Sequence, residues 1–225
     1  PKAGDKITKV WLRIANIETG QITKVQEPTV DGELHNDRYL GTPIWRPDSK
    51  GILMQWMNHG QDYLKLFDVD HTTGICKEIY SEQQKTWISL DTDNRVHYLE
   101  SGKGFILQSD KSKWNHLYLY DMDGKLINPI TSGDYSVRSI VKIDEANKVI
   151  YFTCQKDNVA FTDLYKVSFD GKKLQRLTFG DFNHTVSLSP KGDYFITTYS
   201  NFSTPPKVAL YANSGKQITE LDDCK

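Results

Sequence analysis

Six histidines carry the side chains in this chain that are best suited to metal binding or general acid–base chemistry. A metal site built on one strand or helix usually shows two such residues spaced two or four positions apart. No pair has that spacing among the six, which are His35, His59, His71, His97, His116 and His184. The sequence therefore predicts no bound metal and no cofactor, and the histidines are expected at the surface or in loops.

A short acidic run, Asp121-Met122-Asp123-Gly124, resembles the beginning of a calcium-binding loop. An EF-hand needs a bidentate glutamate at the twelfth position of its loop, and that position is Ser132. The run is therefore predicted to be a hairpin turn. The sequence also lacks the motif of a catalytic serine nucleophile, because it contains no Gly-x-Ser-x-Gly elbow. We predict no catalytic residues in this chain.

Charge and hydropathy argue against two classes of partner. The chain has 28 Lys and Arg against 29 Asp and Glu, and its longest unbroken basic run is Lys172-Lys173. No stripe of positive charge could neutralise a series of phosphates, so nucleic acid is not an expected partner. No stretch approaches the 18 or so consecutive apolar residues of a membrane-spanning helix. No membrane span is expected in this segment.

Three cysteines, Cys76, Cys154 and Cys224, are too few and too scattered to form a disulfide framework. Cys154 ends the apolar run Val149–Cys154. A cysteine in such a run behaves as a small hydrophobic residue. We therefore expect Cys154 to be buried and unreactive.

An internal repeat sets the elements that would position any site. An alternating strand that ends in an Asp- or Asn-rich turn closed by glycine occurs five times. The closing residues are Gly20, Gly74, Gly124, Gly171 and Gly215, with spacings of 54, 50, 47 and 44. A second turn-and-strand element and two flanking strands recur in phase with the first. Each unit is thus predicted to contain four short strands.

Four strands in each repeat of this length are typical of the blades of a β-propeller. A β-sandwich, the alternative, predicts no recurrence of one four-part pattern. The predicted fold is an all-β propeller fragment of about four and a half four-stranded blades, as a single segment over residues 1–225 with no catalytic domain. The predicted units are a half blade at 7–26 and blades at about 38–80, 86–131, 136–179 and 184–221. Because the first unit is incomplete, we expect an excerpt of a longer protein, or an arc that closes by pairing with a second copy as a homodimer.

Several segments in order resemble the N-terminal propeller of the dipeptidyl peptidase IV family, a branch of the prolyl oligopeptidase-type serine peptidases. They are Pro1-Lys2-Ala3-Gly4, Val10-Trp11-Leu12, Ile52–Asn58 with Gln61-Asp62-Tyr63, and Trp114–Tyr120. The resemblance covers the whole chain and points to bacterial members. It implies a propeller of about eight blades, followed in the same chain by an α/β-hydrolase domain that holds the catalytic triad. It also implies peptide substrates, and a periplasmic or cell-surface location.

In that family the propeller admits and orients peptides, and a pair of glutamates binds the free substrate amine. Those glutamates precede the Pro-Lys-Ala-Gly stretch, and this chain contains no Glu-Glu dipeptide. They cannot be assigned to any residue here. The resemblance therefore implies a non-catalytic role for this chain in the removal of dipeptides from peptide N-termini.

The segment from Gln83 to Asn94 is the one candidate substrate contact. The resemblance implies that it approaches the substrate cavity, where Trp87 would offer an apolar platform and Asp91 and Asp93 would offer charge. The alternative is that Trp87 packs between two blades and that the aspartates keep a loop solvated. The sequence favours this second interpretation, because a tryptophan is more often packed than offered to solvent.

Two other functions compete with the peptidase hypothesis. One is a stand-alone binding or scaffold propeller of the periplasmic TolB-like kind, which shares the turn-and-strand pattern. The other is a propeller hydrolase with inward-pointing carboxylates. The second needs acids at the starts of the innermost strands, where the sequence has Thr42, Val96, Val137 and Thr185.

Overall fold

The computed structural model describes residues 9–26, 28–29, 38–88 and 95–222. These residues form nineteen strands and no helix. The strands make five antiparallel sheets that follow one another along the chain, named sheet 1 to sheet 5 below. The prediction of an all-β, partial β-propeller fold is confirmed.

Sheets 1 and 2 come first in the chain. Sheet 1 consists of β1 (Arg13–Ala15) and β2 (Ile22–Lys24). Sheet 2 contains β3 (Arg38–Leu40), β4 (Ile44–Trp45), β5 (Gly51–Asn58), β6 (Tyr63–Asp70) and β7 (Cys76–Gln83). Both β3 and β4 pair with β5, so the innermost position of sheet 2 is filled by two short strands in succession.

Sheets 3, 4 and 5 each have four strands in sequence order. Sheet 3 contains β8 (Val96–Tyr98), β9 (Phe105–Ser109), β10 (His116–Tyr120) and β11 (Leu126–Pro129). Sheet 4 contains β12 (Val137–Asp144), β13 (Val149–Cys154), β14 (Asp163–Ser168) and β15 (Gln175–Arg176). Sheet 5 contains β16 (Asn183–Leu188), β17 (Tyr194–Ser200), β18 (Lys207–Ala212) and β19 (Gln217–Asp222).

The glycine-closed turns lie where the repeat predicts them. All five closing glycines have a left-handed backbone, with φ between +71° and +88°. Four of them join the last two strands of sheets 2 to 5, and Gly20 joins the two strands of sheet 1. The repeat therefore marks the same hairpin in every sheet.

The described chain separates into two compact units. The first runs to Phe105 and includes Tyr120–Lys125, and the second contains Ile106–Leu119 and the residues from Leu126 onward. The boundary passes through sheet 3. The assignment of the whole chain to a single domain with the predicted blade limits stays a prediction.

The core of the first unit lies between sheet 1 and sheet 2. Ile14 of β1 packs with residues of β5 and β6, which are Ile52, Met54, Trp56, Phe67 and Val69. The strand β5 is long and apolar, and all but its last residue are buried. A sheet face of this kind is stable only when a neighbouring sheet covers it.

The core of the second unit lies between sheet 4 and sheet 5. Sheet 4 contributes Tyr151 and Leu164, and Leu177 follows its last strand. These residues pack against sheet 5 at Phe195, Tyr199, Ala209 and Tyr211. Strand β17 alternates strictly, so that Phe195, Thr197 and Tyr199 are buried and the residues between them are more exposed. Side chains that alternate in this way place one face of sheet 5 against sheet 4.

Candidate functional site

The candidate substrate loop leaves β7 at Gln83 and is described as far as Ile88. Trp87 is 72% exposed, so it is not packed between sheets in the structure. The favoured expectation for this residue is therefore wrong. Asp91 and Asp93 lie outside the described residues, and their part in a site stays a prediction.

A turn between β5 and β6 holds this loop. The N–H of Gln84 donates to the carbonyl of Asp62 at 2.9 Å, and the N–H of Ile88 donates to the carbonyl of Gln61 at 2.7 Å. The indole N–H of Trp87 donates to the side-chain oxygen of Gln61. Both the backbone of the loop and the ring of Trp87 are therefore tied to one turn.

The loop is also anchored by an apolar contact. Ile88 is fully buried in a cluster with Met57 of β5 and Leu64 of β6. The buried side chain and the exposed indole are adjacent in sequence, so the chain points them to opposite sides. This arrangement fixes the backbone while it leaves the Trp87 ring open to a ligand.

The turn between β5 and β6 carries an aromatic ring of its own. The ring of His59 stacks on Tyr39 of β3, with 5.8 Å between centroids and 14° between planes. An indole whose N–H is held by a hydrogen bond can pack against an apolar side chain of a bound peptide. Such an arrangement could bind and orient a peptide side chain.

Gln61 belongs to the site, although the sequence alone did not predict it. Its backbone has a φ of +57°, which is uncommon for a residue other than glycine, asparagine or aspartate. The Asn58-His59-Gly60 sequence signals a turn, but it does not reveal a partner 26 residues away. A long-range hydrogen bond leaves no local pattern in the sequence.

The expectation that the histidines lie at the surface or in loops is wrong for His116 and His184. Both are buried, at 2% and 5% exposure. The ring of His116 lies 3.0 Å from the hydroxyl of Thr131 through Nδ1 and donates through Nε2 to the carbonyl of Gly133 at 2.9 Å. Burial lowers the pKa of His116, against the opposing effect of that carbonyl. These partners explain the burial, because a neutral imidazole with two hydrogen bonds can leave water at little cost.

His184 belongs to a buried polar row that connects sheet 4 with sheet 5. Its Nδ1 lies 3.1 Å from Thr197 Oγ1, and its Nε2 lies 4.0 Å from Asp163 Oδ1. Asp163 pairs in turn with Arg176, whose Nη2 is 2.9 Å from Asp163 Oδ2. Burial lowers the pKa of His184, and the Asp163 carboxylate only partly opposes this effect.

A row of threonine, histidine and aspartate has the residue types of an activated nucleophile. Thr197, His184 and Asp163 are, however, 0%, 5% and 1% exposed. Asp163 also accepts a hydrogen bond from Thr178 at 2.8 Å, and Thr178 accepts one from the N–H of Leu164 at 2.9 Å. No substrate can reach Thr197 in this arrangement, so the row is a structural connection between two sheets.

The acidic run at Asp121 is a hairpin turn, as predicted. The carboxylate of Asp121 accepts hydrogen bonds from the N–H groups of Asp123 at 3.0 Å and Lys125 at 2.8 Å. The Asp123 carboxylate pairs with Lys77 at 2.5 Å, and this ion pair lowers the pKa of Asp123. Across the part of the chain that the structure describes, no group of three or more potential ligands is placed to hold a metal ion.

Cys154 is fully buried at the end of β13, which confirms the expectation from its apolar run. Burial raises the pKa of its thiol to about 12. A thiol with so high a pKa is almost entirely protonated at neutral pH and is a poor nucleophile. Cys154 therefore contributes to packing and not to chemistry.

The sequence matches the model of the family described as "Dipeptidyl peptidase IV (DPP IV) N-terminal region" over residues 1–206. The chain belongs to this family. The matched residues include the Trp87 loop and most of the five sheets. In the described residues, no helix could cross a membrane.

Individual relatives agree with the family. The chain is 30% identical over 211 residues to "Probable dipeptidyl peptidase 4" of Trichophyton verrucosum, covering 91% of this chain and 28% of the relative. It is 26% identical over 232 residues to "Probable dipeptidyl peptidase 4" of Aspergillus flavus, covering 99% of this chain and 30% of the relative. The chain therefore spans less than a third of the length of these relatives.

Solved structures share the fold. The crystal structure of Porphyromonas gingivalis dipeptidyl peptidase 4 matches with a TM-score of 0.86 at 24% identity, over 99% of this chain and 31% of that one. A putative dipeptidyl aminopeptidase IV from Bacteroides ovatus matches with a TM-score of 0.75 at 20% identity, over 96% of this chain and 37% of that one. At these identities the likeness establishes the fold alone.

Proposed function

We propose that this chain is the propeller portion of a serine-type dipeptidyl peptidase, which gates and orients peptides for an α/β-hydrolase domain of the same protein. The observation that carries the proposal is the family match over residues 1–206. Relatives named dipeptidyl peptidase 4 are more than three times as long as the matched region, which leaves room for a catalytic domain in them. The resemblance in the sequence implies that here, too, the propeller orients peptides and a separate hydrolase domain cleaves them.

The Trp87 loop supports the binding part of this proposal. An indole that is held by its own N–H and still exposes its face can contact an apolar side chain of a peptide without further ordering. Binding sites gain affinity when their groups are ordered before the ligand arrives. In this proposal the propeller supplies orientation, and the bond is broken by groups in the hydrolase domain.

The test uses the full-length protein that contains this chain and a ten-residue peptide with proline as its second residue. A second sample of the same peptide carries an acetyl group on its N-terminus. Mass spectrometry should detect release of the N-terminal dipeptide from the free peptide and no release from the acetylated one. Internal cleavage of both peptides, or cleavage of neither, would overturn the proposal. A full-length protein without turnover and without a Gly-x-Ser-x-Gly segment would favour a binding scaffold.

A further inference from the structure

The turn between β5 and β6 is closed by the side chain of Asn58. Its amide oxygen accepts hydrogen bonds from the N–H groups of Asp62 at 3.1 Å and Tyr63 at 3.0 Å. Its amide nitrogen donates to the Asp62 carboxylate at 2.6 Å. The carbonyl of Asn58 also accepts a hydrogen bond from the N–H of Gln61 at 3.0 Å. Four hydrogen bonds therefore hold a turn of six residues in one shape.

Gln61 has an unusual backbone within this turn. Its φ of +57° is a left-handed conformation that costs a residue with a side chain about 1–2 kcal/mol. In this conformation the carbonyl of Gln61 meets Ile88, and its side chain meets the indole of Trp87. One strained residue thus binds the candidate loop at two points, and the Asn58 hydrogen bonds hold it in place.

The loop is fixed on both sides of Trp87. On one side the N–H of Gln84 is bound to Asp62, and on the other side Ile88 is buried with Met57 and Leu64. A ring between two anchored points has a defined backbone and only its side-chain torsions left free. The hydrogen bond that the indole N–H donates to the Gln61 side-chain oxygen restricts those torsions, although the ring itself stays 72% exposed.

We propose that Gln61 is the positioning residue of the Trp87 platform, and that this platform sets the preference of the protein for peptides that place an apolar side chain against the indole. The inference rests on the proposed function. Gln61 touches no substrate, and it acts by holding the indole of Trp87 in one orientation. Loss of that orientation weakens the binding of longer peptides and leaves the chemical step unchanged.

Two variants of Gln61 separate positioning from folding. Gln61→Asn tolerates the left-handed backbone, but its side chain is too short to reach the indole. Gln61→Glu keeps both the length and an acceptor oxygen. In the full-length protein, Gln61→Asn should raise the KM for an apolar ten-residue peptide about fivefold, the effect of one lost hydrogen bond, with kcat unchanged. Gln61→Glu should have a KM close to that of the wild type.

A double-variant cycle tests whether Gln61 acts through Trp87. In a protein that already carries Trp87→Ala, Gln61→Asn should have no further effect on the KM of the same peptide. If the KM increases of the two single variants multiply in the double variant, the inference is overturned, because Gln61 would then act through another group.

A spectroscopic measurement keeps this inference separate from the proposed function. In protein labelled with 5-fluorotryptophan, the ¹⁹F resonance of Trp87 is assigned by its loss in Trp87→Phe. It should broaden in Gln61→Asn, as the ring gains freedom, and remain a single sharp line in Gln61→Glu. An unchanged resonance in Gln61→Asn would overturn the positioning role whatever the activity. A broadened resonance in a protein that releases no dipeptides would uphold the positioning role and contradict the peptidase.

Discussion

Gly124 lies against the main chain of Ile79 so closely that no side chain fits between them. Gly124 closes the hairpin between β10 and β11, and Ile79 belongs to the outer strand β7 of sheet 2. A Cβ atom on Gly124 would overlap the carbonyl oxygen of Ile79. The repeat thus requires glycine at this position for its close approach as well as for its φ of +83°.

Gly124→Ala should lower the stability of the protein more than Gly102→Ala. Gly102 has a similar φ of +67°, but a Cβ atom there would meet no atom within 4 Å. Both variants carry the cost of a left-handed alanine, and only Gly124→Ala adds the overlap. The excess destabilisation should be about 1–3 kcal/mol, as for other overpacked sites. Urea-unfolding midpoints of the two variants measure it, and equal midpoints would show that the hairpin does not press on β7.

The order of strands and turns could be predicted from the sequence because it depends on local patterns. Turns rich in Asp and Asn and closed by glycine can be recognised without a distant partner. The same holds for strands in which apolar and polar residues alternate. The outer strand β15 is short and covers only Gln175–Arg176. An edge strand has one neighbour, and its length depends on how far that pairing continues. Strand β3 was not predicted, because it is recognised only by its pairing with Trp56–Asn58 of β5, a contact between segments distant in sequence.

The positions of the site residues depended on contacts across the fold. The exposure of Trp87 follows from its hydrogen bond to Gln61 and from the burial of Ile88 beside it. The burial of His184 follows from Thr197 on β17 and Asp163 on β14. No spacing within the sequence connects these residues. The residue types of the candidate loop could therefore be predicted, and their geometry could not.

Acid should weaken the connection between sheet 4 and sheet 5. Because burial lowers the pKa of His184 in the folded protein, the unfolded chain binds a proton at a higher pH. The stabilising effect of the neutral ring is fully present above its ordinary pKa of about 6.5 and is lost as the pH falls below that value. One such group changes the free energy of unfolding by at most about 1.4 kcal/mol per pH unit.

Urea unfolding between pH 7.5 and pH 5 measures this dependence. His184→Asn should reduce the slope of stability against pH. His116 has a pKa lowered in the same direction, so part of the slope should persist until both buried histidines are replaced. An equal slope in the wild type and in the protein without His116 and His184 would refute the assignment.

Cys154 should resist alkylation in the folded protein. Its thiol is fully buried and its pKa is raised to about 12, so both access and thiolate formation are restricted. Iodoacetamide at pH 8 followed by peptide mapping should leave Cys154 unmodified until denaturant is added. Rapid labelling without denaturant would mean that the end of β13 opens in the native state.

The proposed orientation of peptides by the Trp87 platform can be measured by kinetics of the full-length protein. Trp87→Ala should raise the KM for an apolar ten-residue peptide by about fivefold or more, the effect of losing roughly 1 kcal/mol of apolar contact. The kcat should not change, and a dipeptide anilide too short to reach the loop should be cleaved as by the wild type. Trp114→Ala, a change at another partly exposed tryptophan, serves as the matched control. If the Trp87 platform orients peptides, the KM rises only in Trp87→Ala and only for the long peptide; equal KM values in both variants and the wild type would refute this role.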